Sequence, residues 1–122
     1  MNFLFATILL LIRVLCIGNS FSWDAVEQEL VPLCNQKDVL VEIHNLYYGG
    51  CSLQQHAQFL LQDTAAYSHR VCTNATPRVV QDTISLKQAL RTGQYDYISF
   101  PIHKALVFLN IFEIHFFLIK LI

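Results

Sequence analysis

Cys51, Ser52 and His56 put a thiol, a hydroxyl and an imidazole close together in the chain. That set suggests nucleophilic catalysis, in which a histidine takes the proton of a cysteine or serine. On a helix, however, positions five apart point to different faces, so the trio does not assemble. His69 and Cys72 are three apart, a spacing that presents two zinc ligands on one helix face. No second pair at metal spacing accompanies them, and Cys72 has a better use in a disulfide. His44 and His56 read as surface or part-buried imidazoles. There is no Gly-x-Ser-x-Gly elbow, no zincin His-Glu-x-x-His, no phosphate-cradling glycine loop and no EF-hand. No catalytic residue, metal or cofactor is assigned from the sequence.

The elements that would carry these residues read as helices. Asp24 and Glu27 fit a capping box before Val26, Leu30 and Leu33 at helical spacing. Asp38 caps a second helix through Leu40, Ile43 and Tyr47, ended by Gly49-Gly50, with a strand over Val39–Ile43 as the alternative because β-branched residues cluster there. Ser52 and Gln55 open a third, whose stripe of Leu53, Ala57, Leu60, Leu61 and Ala65 runs toward Cys72. Thr76-Pro77 opens a fourth, with Val79, Thr83, Leu86 and Leu90 on one face and Gly93 at its end. The expected fold is all-α, a small bundle of about four short helices.

In that bundle the cysteines pair by geometry. A helix over 52–72 separates Cys51 from Cys72 by roughly 30 Å, and a disulfide needs α-carbons within about 7 Å. Cys34 and Cys72 arrive at the same end, so Cys34–Cys72 is the expected disulfide, and Cys34–Cys51 is the alternative. Closing so long a loop contributes about 4 kcal/mol in the chain-entropy view. Cys51 is left unpaired inside the chain, which points to a disulfide-linked oligomer, a missing partner or a buried thiol.

The chain has 122 residues, a formal net charge of −1, 54% hydrophobic and 14% charged residues. One domain fits that length, and the near-neutral charge argues against nucleic acid as a partner. The polarity is concentrated in the middle. Residues 1–22 read as a signal peptide, with an apolar core from Phe3 to Ile12 and cleavage before Trp23. The Asn74-Ala75-Thr76 triplet is then an N-glycosylation acceptor, although Pro77 follows it. Residues 23–101 form the helical domain. Residues 102–122 are apolar again, and carry three readings: a fifth helix, a membrane anchor over 104–122, or a tail that is not native protein. A carboxylate such as Glu113 near the centre of a span costs about 2.5–3.5 kcal/mol. A lipid-anchor signal does not fit, and the absence of dibasic sites argues against a hormone precursor.

The first functional expectation is a secreted, disulfide-stabilised, non-enzymatic binding module, or the amino-terminal fragment of a larger extracellular protein, with an unidentified protein partner. Tyr95 and Tyr97, beyond the last helix, offer the contact surface. A membrane-tethered accessory protein is the second reading. A small secreted hydrolase is the third.

Overall fold

Strand β1 (Leu11–Gly18) is the hub of the structure, and Val14 through Gly18 are buried without a break. A strand covered on both faces needs apolar residues at every position, where a half-exposed one needs them at every second. The computed structural model describes residues 11–73, 77–102 and 105–110. Along the chain follow α1 (Ser20–Ser22), a π-helical segment π1 (Trp23–Leu30), α2 (Val31–Gln36), β2 (Leu40–Tyr47) and α3 (Leu53–Gln62). Then come β3 (Tyr67–Cys72), β4 (Arg78–Ile84), α4 (Leu86–Thr92), β5 (Tyr97–Ile102) and β6 (Ala105–Asn110).

The strands form one mixed six-stranded sheet in the order β4-β3-β2-β1-β5-β6. β1 runs parallel to β2, from Leu11 beside Leu40 to Gly18 beside Tyr47. It also runs parallel to β5, with Val14 beside Tyr97 and Cys16 beside Ser99. β3, β4 and β6 join antiparallel to their neighbours. Helices cover both faces. On one, Leu60 of α3 and Leu86 and Ala89 of α4 meet Leu15, Ile17, Leu46, Tyr67 and Ile98. On the other, Val26 of π1 and Val31 of α2 meet Val14, Cys16, Val41, Ile43 and Cys72.

The fold is therefore α/β, which overturns the all-α expectation. β2 takes the strand alternative, with Val41, Ile43 and Asn45 buried and Glu42 and His44 only partly so, the period of a pleated strand. The third helix exists but stops early. Asp63 adopts φ 51° at its C-terminal cap, and the chain turns back as β3 instead of running helically to Cys72. The fourth divides at Ser85, whose side chain accepts from the Gln88 N–H and starts α4 there, leaving the β-branched residues before it as β4.

The disulfide reading falls with the bundle. No disulfide joins Cys34 to Cys72, nor is one formed by Cys16 or Cys51. The long helix on which that pairing rested is absent, and Cys34 and Cys72 instead contribute to one apolar cluster. Residues 11–22, the second half of the segment read as a leader, build the central strand and the start of the first helix. Residues 1–10 and Asn74 lie outside the described residues. Of the apolar tail, residues 105–110 form an edge strand on β5, and no helix among the described residues is long and apolar enough to cross a membrane.

Candidate functional site

The chain leaves β1 through Asn19 into a helical stretch that passes over one face to β2. It later returns through α4 to β5 on the opposite side of β1. The strand order thus reverses at β1. In open α/β sheets the crevice outside the carboxyl ends of the strands at such a point is where ligands bind. Here its floor is Gly18-Asn19-Ser20.

The turn is held tightly. A Cβ on Gly18 would lie 2.1 Å from Ser22 Oγ and 2.4 Å from its Cβ, so only glycine lets the helix start this close to the strand end. Ser22 is fully buried, with Oγ 2.8 Å from the Asn19 carbonyl and 3.1 Å from Asn45 Oδ1. Asn19 Nδ2 donates to the Cys51 carbonyl at 2.9 Å, and the Tyr48 N–H donates to the Gly18 carbonyl at 3.0 Å. The loop after β1 is thereby tied to the loop after β2, where Gly50 takes φ 67° to make the turn. Ser20 itself is exposed, whereas Asn19 before it is part-buried and Ser22 is buried.

Ser20 opens a helical run that continues to Gln36. The first N–H groups of a helix lack intrahelical acceptors and carry its positive dipole end, so they favour an oxyanion. The Asn19 carbonyl accepts from the N–H groups of Ser22 and Trp23. Beneath this run, Glu27 is buried and held by Arg70, with Nε to Oε1 at 2.9 Å and Nη2 to Oε2 at 3.1 Å. Asn45 Nδ2 reaches Glu27 Oε1 at 3.5 Å, completing a polar column from the Ser20 turn to β3. The π-helical wind of Trp23–Leu30, a rare geometry often found near functional sites, lies directly after the turn.

The three described histidines are engaged elsewhere. His44 Nε2 lies 2.6 Å from Glu42 Oε1, and its Nδ1 lies 2.9 Å from His69 Nε2. Burial, and then the neighbouring His44, lower the pKa of His69. His56 is buried with Nδ1 2.7 Å from the Tyr67 hydroxyl, and burial takes its pKa down to about 4. No group of three or more His, Cys, Asp or Glu among the described residues is placed to hold a metal ion.

The residues singled out from the sequence do not converge on Ser20 as side chains. His69 and Cys72 sit three apart on a strand and face opposite sides of the sheet, His69 toward His44 and Cys72 into the cluster beneath π1 and α2. Cys51 is buried, which pushes its thiol pKa up, and its carbonyl accepts from Asn19 Nδ2 at the site. Tyr95 is buried, its hydroxyl donating to the Ala89 carbonyl at 3.1 Å. Tyr97 is 41% exposed and lines an apolar cavity of about 250 Å³ with Ile12, Val14, Cys34 and Val39. That cavity is at the opposite end of β1 from Ser20. Ser20 and Gly18 were legible only through Gly-Asn-Ser standing between a β-branched apolar run and a helical pattern, a strand–turn–helix signature without the second glycine of an elbow.

Residues 13–113 match the family profile DUF4886, described as a domain of unknown function. The crystal structure of a DUF4886 family protein from Bacteroides uniformis ATCC 8492 is similar at 37% sequence identity and a TM-score of 0.66. The match covers 74% of this chain and 35% of that one, so the chain spans about a third of the solved relative's length. No curated protein matches.

Proposed function

Within the DUF4886 family, to which this chain belongs, we propose that the crevice at the end of β1 is the acyl-transfer site of a hydrolase, with Ser20 as nucleophile. The observation that carries this reading is the exposed Ser20 hydroxyl, standing at the strand-order reversal on a turn fixed by Gly18, Ser22 and the Asn19–Cys51 hydrogen bond.

Ser20 Oγ attacks the carbonyl carbon of an ester. The new Oγ–C bond forms as the carbonyl oxygen gains charge, and the leaving alcohol departs with a proton; water then releases the acid from the acyl-serine. In this reading N–H groups at the helix start steady the oxyanion, an interaction whose loss typically costs 10²–10³-fold in rate, on the order of 3 kcal/mol. The Ser20 proton passes to the leaving alcohol; the described histidines bond Glu42, Tyr67 and one another, so none of them is assigned as the base for that transfer. The hydrolase reading thus moves ahead of the binding-module and membrane-tether readings, because neither uses the crevice.

Organofluorophosphonate labelling tests it. The expected result is a single covalent adduct on Ser20, located by peptide mass spectrometry and absent from Ser20→Ala. A folded protein that gives no adduct, or one that is still labelled as Ser20→Ala, overturns the assignment.

A further inference from the structure

Two imidazoles meet head to head across β2 and β3. Nδ1 of His44 lies 2.9 Å from Nε2 of His69, and the ring centroids are 5.1 Å apart, so each ring aims a nitrogen at the other. The second nitrogen of His44 is fixed. Its Nε2 donates to Glu42 Oε1 at 2.6 Å, since an ionised carboxylate only accepts, and Arg13 Nε lies 3.6 Å from the same oxygen. In the neutral ring, His44 Nδ1 is therefore left with a lone pair directed at His69. A histidine whose far nitrogen bonds a carboxylate is the usual arrangement of a metal ligand, because the carboxylate sets the tautomer and strengthens the ligating nitrogen. The ladder beside His69 is irregular too. β4 carries an extra residue on either side of the His69–Gln81 pair, Val80 being one of them. Such bulges re-aim side chains and recur beside functional sites. Gln81 donates its amide to the Thr83 carbonyl at 2.8 Å, along its own strand.

We propose that His44 Nδ1 and His69 Nε2 form a two-nitrogen site for a borderline divalent transition metal, Cu²⁺ or Zn²⁺, which bridges β2 and β3. Imidazole nitrogen suits both ions, and Cu²⁺ binds such donors more tightly. Among the described residues no third protein ligand stands ready, so water completes the coordination. The cation takes the place of the hydrogen that the rings share. His69 shifts that hydrogen from Nε2 to Nδ1, two lone pairs then face the ion, and they displace water from it without changing the charge on the protein. With zinc–nitrogen distances of about 2.0–2.1 Å, a tetrahedral ion holds two ligands about 3.3 Å apart. The rings need only tilt and separate by a few tenths of an ångström from their present 2.9 Å. The His44 side chain is 18% exposed, which gives a hydrated ion its approach. The site lies beside Leu15, short of the Gly18 turn, and does not depend on the reading of Ser20.

Titration of the full chain with Zn²⁺, and separately with Cu²⁺, against a weak chromogenic chelator is the test. One equivalent is expected to bind, Cu²⁺ the more tightly. His44→Gln and His69→Gln are each expected to weaken binding about tenfold or more, since a single imidazole cannot chelate. Thermal melts of the metal-free proteins check that the variants fold. A second measurement needs no variant: one equivalent of Zn²⁺ should slow diethyl pyrocarbonate modification of His44 and His69 together, read peptide by peptide. A wild-type protein that leaves both ions with the chelator overturns the proposal, and the His44–His69 contact is then a hydrogen bond only. Binding that survives either substitution overturns it as well, as does protection that falls instead on His103 or His115.

Discussion

Arg70 grips Glu27 through two hydrogen bonds and lays its guanidinium carbon 3.8 Å above the centroid of the Trp23 ring. One β3 side chain thereby fixes both the first turn and the second turn of π1. The Glu27 side chain is only 1% exposed, and that of Arg70 is 13% exposed, so the pair works in a dry environment. Such a pair adds little when compared with an apolar isostere, yet losing one partner strands the other charge. Arg70→Ala is therefore expected to destabilise the protein by about 3–5 kcal/mol. Arg70→Ala with Glu27→Gln should recover part of that loss, since no charge is left buried. Urea unfolding of the three proteins measures both numbers.

Gly18 gives a sharper geometric prediction. Its missing Cβ is the space into which Ser22 fits, so Gly18→Ala must separate strand from helix at the very turn that presents Ser20. Overpacking of this kind costs about 1–3 kcal/mol. Ser22→Gly removes the atoms that clash and should relieve part of the penalty in the double variant, a non-additive result visible in a melt. If the two substitutions simply add, Gly18 and Ser22 are not in the contact described.

Acid should weaken the fold through its buried imidazoles. His56 is held neutral in a buried site, with its folded pKa near 4 against 6.5 when exposed. A depressed value means that folding favours the neutral form. Its contribution is complete above pH 6.5 and drains away as pH falls toward 4. His69 shifts the same way, from burial first and His44 second. His56→Phe should flatten the upper part of the fall in urea midpoint between pH 6.5 and 5, with His69 supplying the slope that remains.

Local signals in the sequence were faithful where the chain settles its own hydrogen bonds. The Ser52–Gln55 capping box forms as its residues suggest, each partner bonding the other's backbone N–H side. Gly93 follows the end of α4. What the sequence concealed depends on distant partners. Val14–Gly18 is apolar and buried at every position because helices cover both of its faces, and a leader or a greasy helix has the same composition. Val39–Ile43 satisfies helical and pleated spacing alike until β1 and β3 supply its hydrogen bonds. Ser20 is inconspicuous for the same reason: its position matters only once β1 has β2 on one side and β5 on the other.

The cysteines offer the most direct check on the change from bundle to sheet. Cys34 is half-buried beside the apolar cavity, whereas Cys16, Cys51 and Cys72 are buried. Burial pushes the Cys16 thiol up to about 12 and raises Cys51 and Cys72, so few of these thiols are present as the reactive thiolate near neutral pH. A thiol-reactive chromogenic disulfide is expected to modify Cys34 promptly in the native protein and Cys16 last. Four thiols should titrate in denaturant without reductant. A denatured count of two would mean that a disulfide is present, and the pairing of Cys34 with Cys72 would then have to be accommodated across the face of the sheet that π1 and α2 cover.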